Sequence, residues 1–431
     1  MHPPSRGRTF GIVTVVMRMR GGRIARRLAC MTCALVLIAS QAGPAFAIDF
    51  LCDNSPQPQV MVDVDGVFAY RDSNWASPKI GRMLKFQCHA ALARDESSAW
   101  VLVPFGSTRA WVSRAAVRFA DGMDITQLPF ADQIPPAPPA RALQLPGVPV
   151  VSKAIQQRYL DAVRAGRAPD MVTVLGDCNS EHPVYFGRLD GGGFDLTPYP
   201  DLRRVALAFA PSFRRVSLAT SGSFNVTMAL DPTWADPKQC ERNEGPLDCE
   251  LRLSNASLLI ISLGTGDTFT WRDFERHYAA IIERALASQV VPLLMTKADE
   301  LEARQGGAPA DYINTVIRQL GARYSVPVID LALAARQLPD GGLVIERNDK
   351  LQQIDPFHLS AAGADAKIWL TLRTLAQFPK ATPNKAATAF PTHAPAGRRA
   401  TVTPTPSVPK PTQTPRPTPT ARERPWQTRE R

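Results

Sequence analysis

The sequence predicts an α/β protein in which a parallel sheet is flanked by helices, preceded by a small β-barrel domain. Two observations predict this fold class. Between Val151 and Gln377, short apolar runs alternate with helical patterns of ten or more residues, which is typical of parallel sheets covered by helices. Between Val60 and Phe119, short β-type runs are separated by turn residues, and about sixty residues of this kind suit a small barrel.

Residues 1–47 have the parts of a secretory signal peptide. Seven arginines and no acidic residue come first, an apolar run from Leu28 to Ala39 follows, and Ala45-Phe-Ala47 ends the segment. The apolar run is too short to cross a bilayer comfortably, although a retained membrane anchor is the alternative. We therefore expect an exported protein, secreted or associated with the cell envelope, with no transmembrane helix in the mature chain.

The formal charge of +11 is concentrated at the two ends of the chain. Residues 1–47 contribute +7 and residues 378–431 contribute +8, so the part between them carries −4. A nucleic-acid-binding protein concentrates positive charge on its folded face. The charge distribution therefore predicts no nucleic-acid partner.

Composition predicts where the domains begin and end. Residues 129–150 are rich in proline, which stiffens a chain into an extended spacer, and are predicted to be a linker. The Pro/Thr-rich basic tail cannot bury a core and is predicted to be disordered. The predicted organisation is a signal peptide at 1–47, a β domain at 48–128, the linker at 129–150, an α/β domain at 151–377 and the tail at 378–431. We expect the α/β domain to fold by itself.

Five cysteines remain after the predicted signal peptide. Cys240 and Cys249 bracket a polar loop that a disulfide could close, and Cys52 and Cys88 both belong to the β domain. An exported chain meets oxidising conditions, so paired cysteines are expected. The count leaves Cys178 as a free thiol or as a partner in an intermolecular bond.

Polar residues follow the ends of the predicted strands, where open α/β folds bind ligands. The segment Gly176-Asp-Cys-Asn179 follows the first strand, and Asp355-Pro-Phe-His358 precedes the last helix. The other strand ends carry Thr220-Ser-Gly222-Ser, Gly264-Thr-Gly266-Asp267 and Thr296-Lys297-Ala-Asp299. The predicted strands are Met171–Leu175, Arg215–Ala219, Ser257–Leu263, Val290–Met295 and Val326–Ile329, and the predicted helices are Asp273–Ser288, Pro309–Tyr324 and Ala361–Leu375.

These segments resemble, in order, the sequence blocks of the SGNH (GDSL-like) hydrolases. The resemblance implies that Cys178 is the nucleophile, His358 the base and Asp355 the acid that orients it. It implies an oxyanion hole at Cys178, Gly222, Gly264 and Gly266. Lys297 and Asp299 are candidate substrate contacts, and the alternative for both is a solvated turn.

The sequence departs from this family at two positions. Cys178 stands where the family carries Ser, and Gly266 stands where it carries an Asn that donates to the oxyanion. One such donor contributes about 3–4 kcal/mol to transition-state stabilisation. We therefore expect Gly266→Asn, added to Cys178→Ser, to raise the rate. Pairing with His358 is expected to lower the pKa of the Cys178 thiol.

The β domain resembles bacterial SH3-type domains at Trp100, Val103, Gly106 and Trp111-Val-Ser113. That resemblance implies binding to cell-wall peptides or glycans, although the two tryptophans are interpreted first as core residues and only second as a ligand platform. The predicted function is an exported esterase or acylhydrolase that acts on a cell-wall or extracellular glycan ester. The alternative is a non-catalytic wall or glycan binder in which Cys178 is structural and His358 caps the last helix. No cluster of ligands has metal spacing and no phosphate loop is present, so neither a metal nor a cofactor is expected.

Overall fold

The computed structural model of the chain describes residues 52, 57–119, 123–344 and 357–380. The predicted signal peptide, Asp355 and the tail after residue 380 lie outside the described residues. Among the helices that are described, none combines the length and the apolar character that a membrane span requires.

Residues 57–119, here called the β module, form two antiparallel sheets. One has the strand order β4-β1-β8 and the other the order β3-β2-β7-β6-β5. Strands β6 and β7 are joined by a two-residue turn, because Phe105 pairs with Thr108, and Gly106 adopts the positive φ of 61° that this turn needs. The strands are β1 (Gln59–Val62), β2 (Val67–Tyr70), β3 (Lys79–Met83), β4 (Cys88–Ala90), β5 (Ala93–Arg94), β6 (Trp100–Phe105), β7 (Thr108–Ser113) and β8 (Val117–Phe119).

The second part of the chain is a parallel four-stranded sheet with flanking helices, as predicted. The strand order is β12-β11-β10-β9. All seven residues of β10 are buried, because helices cover both faces of a parallel sheet. The elements are α1 (Lys153–Arg164), β9 (Ala168–Gly176), α2 (Phe186–Asp190), α3 (Pro200–Ala208), α4 (Ala210–Phe213), α5 (Pro246–Ser254), β10 (Ala256–Ser262), α6 (Phe274–Ala287), β11 (Val291–Met295), α7 (Tyr312–Tyr324), β12 (Val328–Ile329), α8 (Leu331–Ala335) and α9 (Ala361–Leu375).

The strand predicted at Arg215–Ala219 does not form. The segment runs beside β9 but makes only one bridge with it, between Gly176 and Thr220. Side chains take the place of a ladder: the Ser217 hydroxyl donates to the Val174 carbonyl at 2.7 Å, and the Leu218 N–H donates to Glu250 at 2.9 Å. The strand prediction, which was based on the apolar composition of this segment, is therefore wrong.

The cysteine pairing has the predicted form. Disulfides join Cys52 to Cys88 and Cys240 to Cys249. Cys178 is the free cysteine of the described residues, and it is buried.

Residues 134–150 of the proline-rich segment form no helix or strand, and they pack against the α/β part. Leu143, Leu145 and Val148 contact the core of that part, and the Leu143 N–H donates a hydrogen bond to the Tyr199 hydroxyl. The Asp330 N–H donates to the Gly147 carbonyl at 2.8 Å. Because of these contacts, the segment is attached along the surface of the α/β part and is not a free spacer.

Candidate active site

Cys178 lies in a tight turn at the carboxyl end of β9. The strand ends at Gly176, where a Cβ would meet the Ser180 hydroxyl at 2.3 Å, so the turn requires glycine. Asp177 precedes one turn of 3₁₀ helix at Cys178–Ser180, and its carboxylate accepts the Asn179 N–H at 3.1 Å. The Cys178 side chain is 7% exposed. This placement is the one expected of a nucleophile in an open α/β sheet.

His358 lies on the same small cavity as Cys178. The cavity has a volume of about 30 Å³. The structure therefore brings together two of the three predicted triad residues, while Asp355 lies outside the described residues. The lining residues are Arg82, Leu84, Cys178, Asn179, Val184, Val344, His358, Leu359 and Ala364.

Asn179 connects the nucleophile turn to the histidine segment. Its side-chain N–H donates to the Phe357 carbonyl at 2.8 Å, and its Oδ1 accepts the Leu359 N–H at 2.9 Å. These two bonds hold the main chain on both sides of His358. Sequence analysis did not assign a role to Asn179, since its partners lie about 180 residues further along the chain.

Lys367, in α9, donates hydrogen bonds to the turn that contains Cys178. Its Nζ donates to the Asn179 carbonyl at 2.8 Å, to the Ser180 hydroxyl at 2.9 Å and to the Ser262 hydroxyl at 3.0 Å. The side chain is 1% exposed, and this burial lowers the pKa of Lys367 to about 8. The sequence gives no signal for this role, because a lysine in a helix is usually on the surface.

The surroundings of Cys178 disfavour the thiolate. Burial raises the pKa of the Cys178 thiol well above its usual range, and the nearby carboxylates of Asp177, Asp299 and Glu181 raise it further. Lys367 acts in the opposite direction but does not outweigh these effects. The expectation of a lowered thiol pKa is therefore wrong for this structure, since it considered the histidine without the burial and the acids.

Gly222 is the predicted oxyanion-hole glycine that lies beside Cys178. A Cβ built on Gly222 would lie 3.9 Å from the Cβ of Cys178. It would also lie 3.3 Å from Oε1 of Glu181. A carboxylate thus occupies the neighbourhood where negative charge would develop in an acyl transfer.

Gly264 and Gly266 face neighbouring chain segments. At Gly264 φ is +135°, and a Cβ there would lie 2.8 Å from the Ile313 side chain. At Gly266 a Cβ would lie 2.3 Å from the Phe224 carbonyl oxygen. The positive φ therefore requires glycine at position 264 and the close main chain requires it at position 266, and neither position offers room for a side-chain donor.

Lys297 and Asp299 are inside the protein. Nζ of Lys297 lies 2.8 Å from Oδ1 of Asp299 and 2.5 Å from Oε2 of Glu302, and all three side chains are buried. The Thr265 hydroxyl donates to Oδ2 of Asp299 at 2.8 Å. Their polar atoms bind one another, so the structure places neither residue on the Cys178 cavity and neither in a solvated turn.

Asp267, the last residue of the Gly264-Thr-Gly266-Asp267 segment (here called the third block), is fully buried. Its Oδ1 accepts the Val226 N–H at 3.2 Å and the Thr270 hydroxyl at 2.6 Å, while Oδ2 has no hydrogen-bond partner among the described residues. Burial raises the pKa of Asp267 to about 7. This carboxylate joins the third block to the turn that follows Gly222.

One group of potential metal ligands occurs among the described residues. It consists of Cys240, Glu244 and Cys249, and the two cysteines form a disulfide with each other. Their sulfur atoms are therefore not thiolates that could bind an ion.

The comparison with protein families identifies the domain that carries this site. Residues 175–366 match the GDSL-like Lipase/Acylhydrolase family, and this range includes both Cys178 and His358. This part of the chain is a GDSL-like lipase/acylhydrolase domain with an α/β fold. No curated protein matches the chain.

Several solved esterase structures are similar to about half of the chain. The psychrotrophic esterase EstA from Pseudoalteromonas sp. is 14% identical, with 48% of this chain and 96% of that chain covered and a TM-score of 0.31. The acetyl xylan esterase AlAXEase is 17% identical, with 47% and 97% covered and a TM-score of 0.28. A catalytic mutant of Axe2, an acetylxylan esterase from Geobacillus stearothermophilus, is 13% identical, with 48% and 94% covered and a TM-score of 0.30.

Proposed function

We propose that the protein hydrolyses carboxylic esters through a thioester formed on Cys178. One observation carries this proposal: Cys178 and His358 line one cavity at the carboxyl end of β9. The match to the GDSL-like lipase/acylhydrolase family over the same residues supports it.

In the proposed reaction, the sulfur of Cys178 attacks the ester carbonyl carbon while its proton passes to His358. The carbon–oxygen bond of the ester then breaks, and the leaving alcohol takes the proton from His358. Water attacks the resulting thioester and gives its proton to His358, which returns it to the sulfur as the acid is released. Asp355 is proposed to hold the imidazole, as the acid of a triad does.

The pKa of the Cys178 thiol determines whether its proton leaves before or during the attack on the ester. Because burial raises the pKa of the Cys178 thiol, the sulfur is protonated at neutral pH before substrate binds. Proton transfer to His358 must therefore accompany the attack. The proposed reaction resembles serine chemistry in this respect more than the chemistry of a preformed thiolate–imidazolium pair.

The oxyanion in this proposal is stabilised by the backbone N–H groups of Cys178 and Gly222. Gly266 provides no side-chain donor, and the absence of one donor costs about 3–4 kcal/mol. Turnover is therefore expected to be slower by about two to three powers of ten than with a complete oxyanion hole.

We also propose that the protein is exported and acts on an ester of a cell-wall or extracellular glycan. The signal-peptide pattern in residues 1–47 supports export. The resemblance of the β module to SH3-type domains supports binding to the wall.

A second candidate function is non-catalytic binding of such a glycan. The observation that favours it is Gly266, where a Cβ would lie 2.3 Å from the Phe224 carbonyl oxygen, so that no side chain there donates to an oxyanion. The two candidates differ in one requirement: catalysis needs the Cys178 sulfur and binding does not.

Turnover of 4-nitrophenyl acetate by the full chain distinguishes the two. Cys178→Ala and His358→Ala should each abolish turnover, since residues of a triad act as a unit. His277→Ala, which removes a histidine on the exposed side of α6, is the matched control and should turn over like the wild type. Mass spectrometry of acid-quenched protein should find an acetyl group on the peptide that contains Cys178. Wild-type turnover in Cys178→Ala would leave binding as the function.

A further inference from the structure

The β module contributes two residues to the cavity of Cys178 and His358. Arg82, in β3, and Leu84, just after it, line this cavity. Nη2 of Arg82 lies 2.9 Å from Oε2 of Glu181, three residues after Cys178, and both side chains are about one-quarter to one-third exposed. The reaction site is therefore built from both parts of the chain.

A buried ion pair holds the β module in this position. The guanidinium of Arg188 donates to Oδ1 of Asp365 at 2.6 and 3.1 Å, and the two side chains are 1% and 6% exposed. The β module completes the hydrogen bonds of both: Arg188 donates to the Ile80 carbonyl at 2.7 Å, and Oδ2 of Asp365 accepts the Ser107 N–H at 2.6 Å. Moving the β module away would break both of these hydrogen bonds and expose the ion pair to water.

The backbone contacts at this interface are as close as those of a protein interior. A Cβ on Gly106 would lie 2.6 Å from both Nη2 of Arg188 and Oδ2 of Asp365. A Cβ on Gly193 would lie 2.7 Å from the Cβ of Ile80. Glycine on each side of the interface therefore permits the approach, and the fit leaves no space for sliding.

We propose that the β module is a fixed wall of the reaction site and that Leu84 limits the acyl group of the substrate to about the size of acetyl. This inference rests on the proposed ester hydrolysis. It follows from the cavity volume of about 30 Å³, because one water-sized group requires about 10–15 Å³ of such space. Arg82, paired with Glu181, fixes the distance between the wall and the nucleophile turn.

A test that does not depend on turnover uses thiol reagents of two sizes on the full chain. Methyl methanethiosulfonate and benzyl methanethiosulfonate are compared by their rates of modification of the Cys178 peptide. The wild type should prefer the methyl reagent strongly. Leu84→Ala should reduce this preference about tenfold or more, the usual effect of one or more methylene groups in a fitted pocket.

Leu92→Ala is the matched control, because Leu92 is a half-buried leucine of the β module that lines a different cavity. It should retain the wild-type preference. If Leu84→Ala also retains the wild-type preference, or if the wild type reacts equally with both reagents, the fixed-wall proposal is wrong. Loss of the preference in both variants would indicate a mobile β module and would equally overturn it.

Turnover of 4-nitrophenyl acetate, butyrate and hexanoate tests the substrate class. The butyrate-to-acetate ratio of kcat/KM should rise about tenfold in Leu84→Ala and stay unchanged in Leu92→Ala. If no ester is turned over but the reagent preferences are as expected, the ester-hydrolysis proposal is wrong. The proposal that the β module is a fixed wall of the cavity would then still stand. Equal ratios in all three proteins would overturn the acyl-size limit.

Discussion

Asn179 holds His358 in place through the main chain on both sides of it. The two hydrogen bonds, 2.8 Å to the Phe357 carbonyl and 2.9 Å from the Leu359 N–H, begin at the residue directly after Cys178. Cys178 and His358 therefore lie on one hydrogen-bonded unit of main chain. The carbonyl of Asn179 in turn accepts a hydrogen bond from Lys367, which fixes this unit against α9.

Asn179→Ala should lower kcat for ester turnover by about ten- to a hundredfold and change KM little. The physical reason is that a small displacement of a catalytic group costs about two powers of ten in rate. Steady-state kinetics on 4-nitrophenyl acetate measures both constants, and thermal unfolding checks that the fold is kept.

Asn225→Ala is a suitable control for this variant, since among the described residues the Asn225 side chain hydrogen-bonds to Thr227, within its own turn. It should change kcat much less than Asn179→Ala. If Asn179→Ala keeps the wild-type kcat, the two hydrogen bonds do not position His358 for catalysis.

Arg188→Met should destabilise the protein by about 3–5 kcal/mol, because it leaves the buried Asp365 charge without its partner. The free energy of unfolding in urea measures the loss. Arg214→Met removes an exposed pair with Asp190, of which the arginine is 71% exposed, and should cost at most about 1 kcal/mol.

Equal losses of unfolding free energy in the two arginine variants would mean that the buried Arg188 pair contributes no more to stability than the exposed Arg214 pair.

The Arg188–Asp365 pair also affects the expectation that the α/β domain folds by itself. A chain without the β module would lose the hydrogen bonds that the Ile80 carbonyl and the Ser107 N–H make with this pair, so residues 151–377 in isolation should be less stable than the full chain. The linker composition alone did not indicate this dependence.

The regular elements were predictable because apolar runs of strand length alternate with longer helical patterns along the sequence. The last helix was predicted at its observed bounds, Ala361–Leu375, and β9, β10 and β11 agree with their predicted strands to within a few residues. The cysteine count identified the free thiol, because two local pairs account for the other four cysteines. These features depend on residues that are near in sequence.

The supporting contacts of the site could not be predicted, because they join residues far apart in sequence. Arg188 and Asp365 are 177 residues apart, and Lys367 is 188 residues from Asn179. Charged residues in helices are read as surface residues unless a partner is known. The strand prediction for residues 215–219 was wrong for another reason. A hydrogen bond from the Ser217 side chain to the main chain of β9 takes the place of the main-chain strand pairing.

Asp267→Asn should make the protein relatively more stable as the pH rises. Burial raises the pKa of Asp267 to about 7, so folding favours the protonated carboxyl. The wild type therefore loses stability from this group between about pH 4 and pH 7, where the unfolded chain releases the proton more readily. Asparagine carries no such proton.

Urea denaturation at pH 5 and pH 8 measures this effect. The stability of Asp267→Asn minus that of the wild type should be more positive at pH 8, by on the order of 2–3 kcal/mol. The same difference at both pH values would mean that Asp267 ionises equally easily in the folded and the unfolded protein.

Alkylation of Cys178 by iodoacetamide should depend on pH with a midpoint above that of an ordinary thiol. Burial and the nearby carboxylates raise the pKa of the thiol, so the midpoint in the folded protein should lie above that in urea. Peptide mapping after labelling assigns the rate to Cys178. A folded-state midpoint below the one in urea would indicate a thiolate stabilised by His358.

Gly266→Asn should fail to repair the oxyanion hole, contrary to the expectation from the family pattern. A Cβ at Gly266 would lie 2.3 Å from the Phe224 carbonyl oxygen, far inside van der Waals contact. The main chain cannot move away freely, because Asp267 accepts a hydrogen bond from the Val226 N–H two residues further along. Overpacking of this kind costs about 1–3 kcal/mol.

In the Cys178→Ser background, adding Gly266→Asn should therefore lower the free energy of unfolding by that amount and leave ester turnover unchanged or reduced. Gly266→Ala in the same background is the matched variant, because it introduces the same Cβ without an amide. The two should be destabilised alike, since the clash is made by the Cβ. If Gly266→Asn raises turnover and Gly266→Ala does not, the main chain at Phe224 moves to make room for the side chain. The asparagine amide would then donate to the oxyanion, and this prediction would be wrong.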